Sequence, residues 1–173
     1  MSKTAITLII LFLILIPAQA VFFNNLVLFN VAVPLVFIYL IITLPITLND
    51  SLSLTIGFLT GLAIDILSDT PGVNALASTI LTFVRKPVFH LYVSSDIDLA
   101  DQRPLPRTMG TAAFLKYAGT MTAIYCAMVF AIEAFQIFNL ELFLLRVACS
   151  SVFTFVIIYA IACLTSPGRE KRL

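Results

Sequence analysis

Long apolar runs separated by short polar breaks dominate the chain, and six of these runs approach the length of a membrane span. A helix needs about 20 mostly apolar residues to cross a bilayer. The pattern therefore predicts an all-α, polytopic membrane bundle of about six transmembrane helices, which forms a single integral membrane domain over residues 1–173. Pro34 is expected to kink the second helix. The predicted spans are Ala5–Val21, Leu26–Leu44, Leu52–Leu67, a fourth from Val73 to Arg85, Thr111–Phe135 and Leu140–Leu164.

Two of these spans have a second interpretation. The first begins near Lys3 and ends in Pro-Ala-Gln-Ala at residues 17–20, like a cleavable signal peptide, but another span follows it, so we expect it to be retained. The fourth has few apolar residues before Arg85 and Lys86, and a basic side chain at the bilayer centre costs roughly 2.5–3.5 kcal/mol. The third and fourth runs could therefore form a re-entrant hairpin, provided that other helices cover its turn.

The composition supports a membrane protein and excludes several other classes. Hydrophobic residues make up 61% of the chain and charged residues 11%, whereas soluble domains contain about half and a quarter. The net charge of +1 gives no information about nucleic acid, but the sequence has no basic cluster with interleaved aromatics, so we predict no nucleic-acid partner. Cys126, Cys149 and Cys163 lie inside apolar runs without metal-ligand spacing. We predict no catalytic residue, no metal site and no cofactor.

Basic residues are distributed unequally between the two sides of the predicted bundle. Six spans place both termini on one side, and nine of the ten Lys and Arg residues lie there, which makes that side cytoplasmic. The prediction is a multi-pass protein of the bacterial inner membrane with a cytoplasmic loop at 87–110, which includes a short surface helix, and a basic cytoplasmic tail at 165–173. The residues predicted to anchor the bundle at the cytoplasmic membrane surface are Arg85, Lys86, Arg169, Lys171 and Arg172.

Asp65, Glu133 and Arg146 are the ionisable residues of the predicted spans that need an explanation, because charges there are costly and usually face the interior of a bundle. In the six-span arrangement Asp65, Glu133 and Arg146 all lie in the outer third of the membrane. We expect Arg146 to pair with Glu133 or Asp65 and to hold the helices together. The functional alternative is a path for protons or ions.

The segment between the third and fourth runs contains the chain's most distinctive local pattern. Gly57 and Gly61 have the spacing at which helices pack closely in lipid, with partner binding as the second interpretation. Asp69 to Gly72 is typical of a tight turn. Asn74 is then expected to cap the start of the fourth helix.

The same segment matches half of an enzymatic motif. Gly61, Asp65 and Asp69 have the G-x3-D-x3-D spacing of CDP-alcohol phosphotransferases. The other carboxylates of that two-metal site do not occur at the required upstream positions, so we predict that the chain is not an enzyme.

The sequence GFLTGLAIDILSDTPGVNALA, which runs from Gly57 to Ala77, resembles the MreD family of rod-shape-determining membrane proteins, in a Bacteroidetes-like form. The likeness includes Asp65, Gly72 and Asn74, and continues through LTFVRKP at residues 81–87. The resemblance implies a non-enzymatic membrane scaffold of the cell-elongation machinery, which supports cell shape and peptidoglycan synthesis. It implies as partners an MreC-like coiled-coil membrane protein, an MreB-like actin homologue and wall-synthesis enzymes.

The MreD family is similar in fold to the substrate-binding S components of energy-coupling-factor vitamin transporters. This similarity supplies the rival hypothesis, in which the chain binds a small molecule in its outer half. A ligand pocket needs a few convergent polar groups on an apolar wall. A ligand retained on purification would favour transport, whereas co-purification with a coiled-coil membrane partner would favour the scaffold.

Overall fold

A computed structural model describes residues 3–23, 33–70, 72–93, 103–134 and 140–165, and within these ranges all regular structure is helical. A π-helical turn at Gln19–Phe23 extends the first of seven described α-helices. The helices are α1 at Lys3–Ala18, α2 at Ile38–Ile42, α3 at Asp50–Ser68, α4 at Val73–Tyr92, α5 at Pro106–Met109, α6 at Thr111–Ala134 and α7 at Leu140–Thr165.

Three of the described helices are long and apolar enough to cross a membrane, and a shorter apolar helix covers Ile6–Phe22. Large apolar side chains are exposed on these helices, among them Ile66 on α3 and Val152 on α7. Such outward-facing side chains suit a lipid environment. The three candidate spans are Asp50–Ser68, Thr111–Glu133 and Glu141–Thr165.

The second predicted span is not a continuous kinked helix in its described part. Residues 33–37 are non-helical, and α2 is only 5 residues long. Gln19 replaces the missing helical hydrogen bonds, because its side-chain amide donates to the Pro34 carbonyl (2.8 Å) and its oxygen accepts from the Val36 N–H (2.8 Å). Non-helical backbone at membrane depth is tolerated where protein groups satisfy it, as they do here.

Helix α7 supplies two further acceptors to the same non-helical stretch. The Val33 N–H donates to Ser150 Oγ at 3.1 Å, and the Leu35 N–H donates to Thr154 Oγ1 at 3.0 Å. Ser150 and Thr154 lie one helical turn apart on a buried stripe of α7. The break at Pro34 is therefore held between the end of α1 and the middle of α7.

Replacing Ser150 with alanine is expected to lower the free energy of unfolding by about 1–3 kcal/mol, since the Val33 N–H loses its acceptor. The neighbouring Ser151 is a matched control, because its hydroxyl donates to the Ala148 carbonyl of its own helix. We expect Ser151→Ala to change stability by less than about 0.5 kcal/mol. The measurement is the rate at which buried Cys126 reacts with a maleimide in detergent, with exposed Cys149 and Cys163 replaced by alanine. Equal losses for both serine variants would contradict this assignment.

Helix α4 continues beyond the end of the fourth apolar run. It passes through Pro87 and ends at Tyr92, so the predicted loop at 87–110 starts too early. Proline removes one backbone donor from a helix interior but does not end the helix when packing compensates. Val88 and Phe89 supply that packing, because both are buried in the core.

The later part of the predicted loop contains the expected short helix, α5. Pro106 is its first residue, a position that suits proline because no donor is lost there. Pro106 and Met109 are buried, so α5 packs into the bundle and does not lie freely on its surface. The first part of the loop, at 94–102, lies outside the described residues.

Candidate functional site

The hairpin of α3 and α4 contains the segment from Gly57 to Ala77, and its two helices pack backbone against backbone. A Cβ atom on Gly61 would lie 2.6 Å from Ala75 Cα, and closer still to the Asn74 carbonyl and the Ser78 hydroxyl. A Cβ atom on Gly57 would meet Thr82 Cβ at 3.0 Å. The structure thus places both glycines at an internal helix contact, the geometry typical of small residues spaced four apart.

Three hydroxyl groups along this contact, those of Thr60, Ser78 and Thr82, are satisfied within their own helices. Thr60 donates to the Ile56 carbonyl at 2.6 Å, and Thr82 donates to the Ser78 carbonyl at 2.7 Å. Ser78 donates to the Asn74 carbonyl. Because none of these hydroxyls needs a partner across the contact, α3 and α4 can approach as closely as two apolar helices.

Asp65 is the polar centre of the hairpin, with only 4% of its surface exposed. Its Oδ1 accepts hydrogen bonds from the Thr70 hydroxyl (2.5 Å), the Asn74 N–H (3.0 Å) and the Asn74 side-chain amide (3.0 Å). Its Oδ2 accepts from the Ala75 N–H at 2.8 Å. Four donors from the turn and from α4 therefore surround one carboxylate.

This arrangement caps α4 from the preceding helix. Gly72 occupies the N-cap position and has no side chain to offer, so the Asp65 carboxylate accepts from the first free N–H groups of α4 in its place. A negative charge at a helix N-terminus also interacts favourably with the helix dipole. The predicted capping role of Asn74 is wrong in its direction, because Asn74 lies inside the helix and donates to Asp65.

Asn74 links the hairpin to the rest of the bundle. Its side-chain oxygen accepts a hydrogen bond from the hydroxyl of Tyr125 on α6 at 2.8 Å. The Tyr125 ring packs edge-on against Phe37, with ring centroids 5.6 Å apart. The polar chain from Asp65 through Asn74 to Tyr125 therefore fixes the hairpin against α6 and against the stretch before α2.

The turn itself relies on two residues with positive φ. Asp69 ends α3 with φ 53°, and Gly72 precedes α4 with φ 77°. Asp is among the few residues other than glycine that adopt this conformation readily. The Thr70 N–H donates to the Asp65 carbonyl at 3.1 Å, and the exposed Asp69 side chain takes no part in the carboxylate cluster. Pro71 lies outside the described residues.

The predicted ion pairing of Arg146 does not involve Asp65, whose carboxylate is occupied by hydrogen-bond donors within the hairpin. Glu133 and Arg146 are both exposed. The described structure has no ion pair between them within 4.0 Å. The three residues predicted to form an outer polar cluster are therefore not joined by an ion pair in the part of the chain that the structure describes.

Arg85 is not a surface anchor, because its side chain is completely buried. Its guanidinium donates to the carbonyl of Leu44 and to the carbonyl of Pro45 (3.2 Å) in the stretch that follows α2. Lys86 is half-buried and donates to the Leu48 carbonyl at 3.0 Å. It also forms an ion pair with Asp50 at the start of α3. The other predicted anchors, Arg169, Lys171 and Arg172, lie outside the described residues.

Arg103 and Tyr117 also donate hydrogen bonds to carbonyl groups at the end of α2. Arg103 donates to the Thr43 carbonyl (3.0 Å) and to the Thr43 hydroxyl (2.7 Å), and burial lowers the pKa of its guanidinium. The Tyr117 hydroxyl donates to the Ile42 carbonyl at 3.3 Å. The last carbonyl groups of a helix lack intrahelical partners, and here cationic and phenolic side chains supply them.

This role of Arg85 and Arg103 has no signature in the sequence, because the carbonyl groups that they bind lie about forty and sixty residues away. The described residues contain no group of three or more His, Cys, Asp or Glu side chains placed to hold a metal ion. Comparisons of the chain with models of known protein families, with characterised proteins and with solved structures give no match.

Proposed function

We propose that this protein is a non-enzymatic membrane scaffold of the bacterial cell-elongation machinery, which supports peptidoglycan synthesis by binding an MreC-like, membrane-anchored coiled-coil protein. The proposal is supported by the hydrogen bonds that polar residues of the MreD-like segment make. Asp65, Thr70 and Asn74 bond to one another and to the start of α4. A segment whose buried carboxylate and amide bond to each other and to the start of the next helix suits a scaffold better than a site of chemistry.

The proposal includes six membrane spans with cytoplasmic termini and a fold like that of the S components. Helices α3 and α4 contain 19 and 20 residues, which at about 1.5 Å per residue gives each about 30 Å. This length matches the hydrocarbon core and favours two full crossings over a re-entrant hairpin. The N-terminal helix and the run interrupted at Pro34 supply the first two crossings, and α6 and α7 the last two.

The outer faces of the helix pair are suited to membrane-embedded protein partners. Ile66 on α3 is 74% exposed and Phe83 on α4 is 70% exposed, so both helices present large apolar side chains outward. A partner that has a single membrane anchor can pack on such a face by van der Waals contact, since apolar helices gain little from the hydrophobic effect inside lipid. The MreB-like and wall-synthesis partners would join through the coiled-coil protein or through the cytoplasmic connection after α4.

The vitamin-binding alternative requires polar groups that can turn toward a ligand in the outer half of the bundle. Asp65 is one of the three candidates, and its carboxylate already accepts four hydrogen bonds from the hairpin. Glu133 and Arg146 remain exposed at the surface. These observations favour the scaffold.

Affinity capture of the full-length protein from native membranes, with mass spectrometry of proteins and small molecules, tests the proposal. We expect a coiled-coil membrane protein to be captured by the wild type and by Asp69→Asn, and to be lost with Asp65→Ala, because the hairpin then loses its cap. A photo-crosslinking amino acid at Ile66 or Phe83 is expected to reach that partner directly. Capture of a stoichiometric small molecule without a coiled-coil protein would support the transporter alternative and contradict the scaffold.

A further inference from the structure

Two buried side-chain atoms without a hydrogen-bond partner lie at the same place in the molecule. They are Ser53 Oγ on α3 and Arg85 Nε on α4, and no other side-chain atom in the described part of the chain shares this condition. Both residues line a single cleft of about 260 Å³ between the two helices. Buried polar groups are nearly always paired, so two unpaired atoms in residues that line one cleft make it a candidate site for a ligand that supplies their partners.

Arg85 brings an uncompensated positive charge to this cleft. Its two bonded nitrogens contact the carbonyl oxygens of Leu44 and Pro45, which are dipoles and do not neutralise the charge. No carboxylate oxygen lies within 4.0 Å of the guanidinium in the described structure, and the nearby Asp50 forms its ion pair with Lys86. A buried cation is stabilised most strongly by an anion that also accepts its remaining N–H.

The remaining walls of the cleft define the chemistry of the anion. Lys86 and Asp50 also line the cleft and form an ion pair with each other, so Arg85 gives the cleft its net positive charge. The N-terminus of α3, which has no side-chain cap, adds the positive end of a helix dipole. Leu54, Phe83 and Pro87 form an apolar wall. Phe83 is largely exposed on the outside of the bundle, so the cleft opens toward the surrounding bilayer.

We propose that this cleft binds a phosphate-bearing anion, either the phosphodiester headgroup of an anionic phospholipid or free phosphate. Tetrahedral phosphate oxygens accept from Arg85 Nε, from the Ser53 hydroxyl and from Lys86 together, and guanidinium groups are well suited to phosphate. The apolar wall matches the glycerol and the first acyl carbons of a lipid. The bound anion neutralises the Arg85 charge and joins α3 to α4 at the end opposite Asp65.

Ligand binding to the purified full-length protein in a non-ionic, phosphate-free detergent tests the proposal. The probes are phosphatidylglycerol, diacylglycerol as the same lipid body without phosphate, and inorganic phosphate with chloride at equal ionic strength as its control. Retained lipid is counted by native mass spectrometry, and protection of Cys126 from maleimide gives the apparent affinity. We expect phosphatidylglycerol to be retained and to protect, and diacylglycerol to do neither.

Three variants locate the binding site, and Ser53→Ala does so without loss of a contact within the protein. Ser53→Ala removes no hydrogen bond of the protein and so should leave the unliganded stability intact, yet it should weaken binding roughly threefold to tenfold. Lys86→Gln should weaken binding by at least as much, while Lys116→Gln, which removes an exposed cation on α6, should leave it unchanged.

Protection by inorganic phosphate alone, sensitive to Ser53→Ala, would identify free phosphate as the source, and protection by phosphatidylglycerol alone would identify the lipid. Equal behaviour of phosphatidylglycerol and diacylglycerol without protection by phosphate would overturn the proposal. So would binding that falls equally in the Lys86 and Lys116 variants, because that result describes general attraction of anions to a basic membrane surface. None of these outcomes depends on a protein partner.

Discussion

Replacing Gly61 with alanine is expected to separate α3 from α4 and to cost roughly 3 kcal/mol or more of folding stability. The new methyl group would lie 2.6 Å from Ala75 Cα and closer still to the Asn74 carbonyl, and both are backbone atoms of the facing helix. Over-packing typically costs about 1–3 kcal/mol when side chains can move aside, and backbone atoms cannot do so without moving the whole helix. The loss is measured as faster maleimide labelling of Cys126 and as a lower midpoint of thermal inactivation of partner capture.

Gly119 on α6 provides the matched control for this substitution. A Cβ atom there would lie 3.7 Å from the Phe155 ring, an ordinary van der Waals distance. Because alanine is the better helix former, Gly119→Ala is expected to be neutral or to stabilise the protein by up to about 1 kcal/mol. Gly61→Ala and Gly119→Ala therefore insert the same methyl group into two helices and should have opposite effects.

Gly57 provides a third substitution for comparison, because a Cβ atom there would mainly contact one side chain, that of Thr82. A Cβ atom there meets the Thr82 hydroxyl and Thr82 Cβ, while the nearest backbone atom, the Ser78 carbonyl oxygen, is 3.2 Å away. We expect Gly57→Ala to cost less than Gly61→Ala and to be partly rescued by Thr82→Ala. A Gly61→Ala protein as stable as the wild type would show that the two helices are not in backbone contact.

Features that depend on local pattern could be predicted from the sequence. The lengths of α3, α6 and α7 follow from apolar runs of membrane-spanning size. The glycine spacing at Gly57 and Gly61 pointed to a close helix contact, because only a residue without Cβ allows such an approach.

Features that depend on distant partners could not be predicted. Arg85 follows an apolar run, where a basic residue normally marks the membrane surface. The structure instead extends α4 to Tyr92 and buries Arg85 against carbonyl groups that the break after α2 leaves free. The sequence does not indicate that these carbonyl groups need donors, because they become free only when α2 ends inside the bundle.

The role of Asp65 could be predicted from the sequence only in part. An acid one turn before the end of a helix, followed by Thr70 and Asn74, is a local pattern that could have indicated a cap for the next helix. The predicted ion pair with Arg146 assumes that the Asp65 carboxylate needs a cation. Four hydrogen-bond donors stabilise a buried carboxylate equally well, and the turn brings all of them within reach.

Replacing Asp65 with alanine is the second substitution with a large expected effect. It removes the acceptor of the Asn74 and Ala75 N–H groups at the start of α4 and leaves the Asn74 amide without its main acceptor. Loss of a helix cap costs about 0.5–2 kcal/mol, and hydrogen bonds to a charged group contribute about 1.5–3 kcal/mol each. We expect a total loss of roughly 3 kcal/mol or more, measured by Cys126 labelling.

The isosteric change Asp65→Asn separates the capping role from a simple loss of volume. An asparagine keeps one oxygen acceptor but turns an NH₂ donor toward at least one of the same donors, so it should recover only part of the stability. Asp69→Asn is the control, because that side chain is exposed and asparagine also adopts positive φ readily. We expect Asp69→Asn to stay within about 0.5 kcal/mol of the wild type. If Asp65→Asn were equally harmless, the carboxylate would not be the cap of α4, and the polar chain from Asp65 to Tyr125 would lose its physical basis.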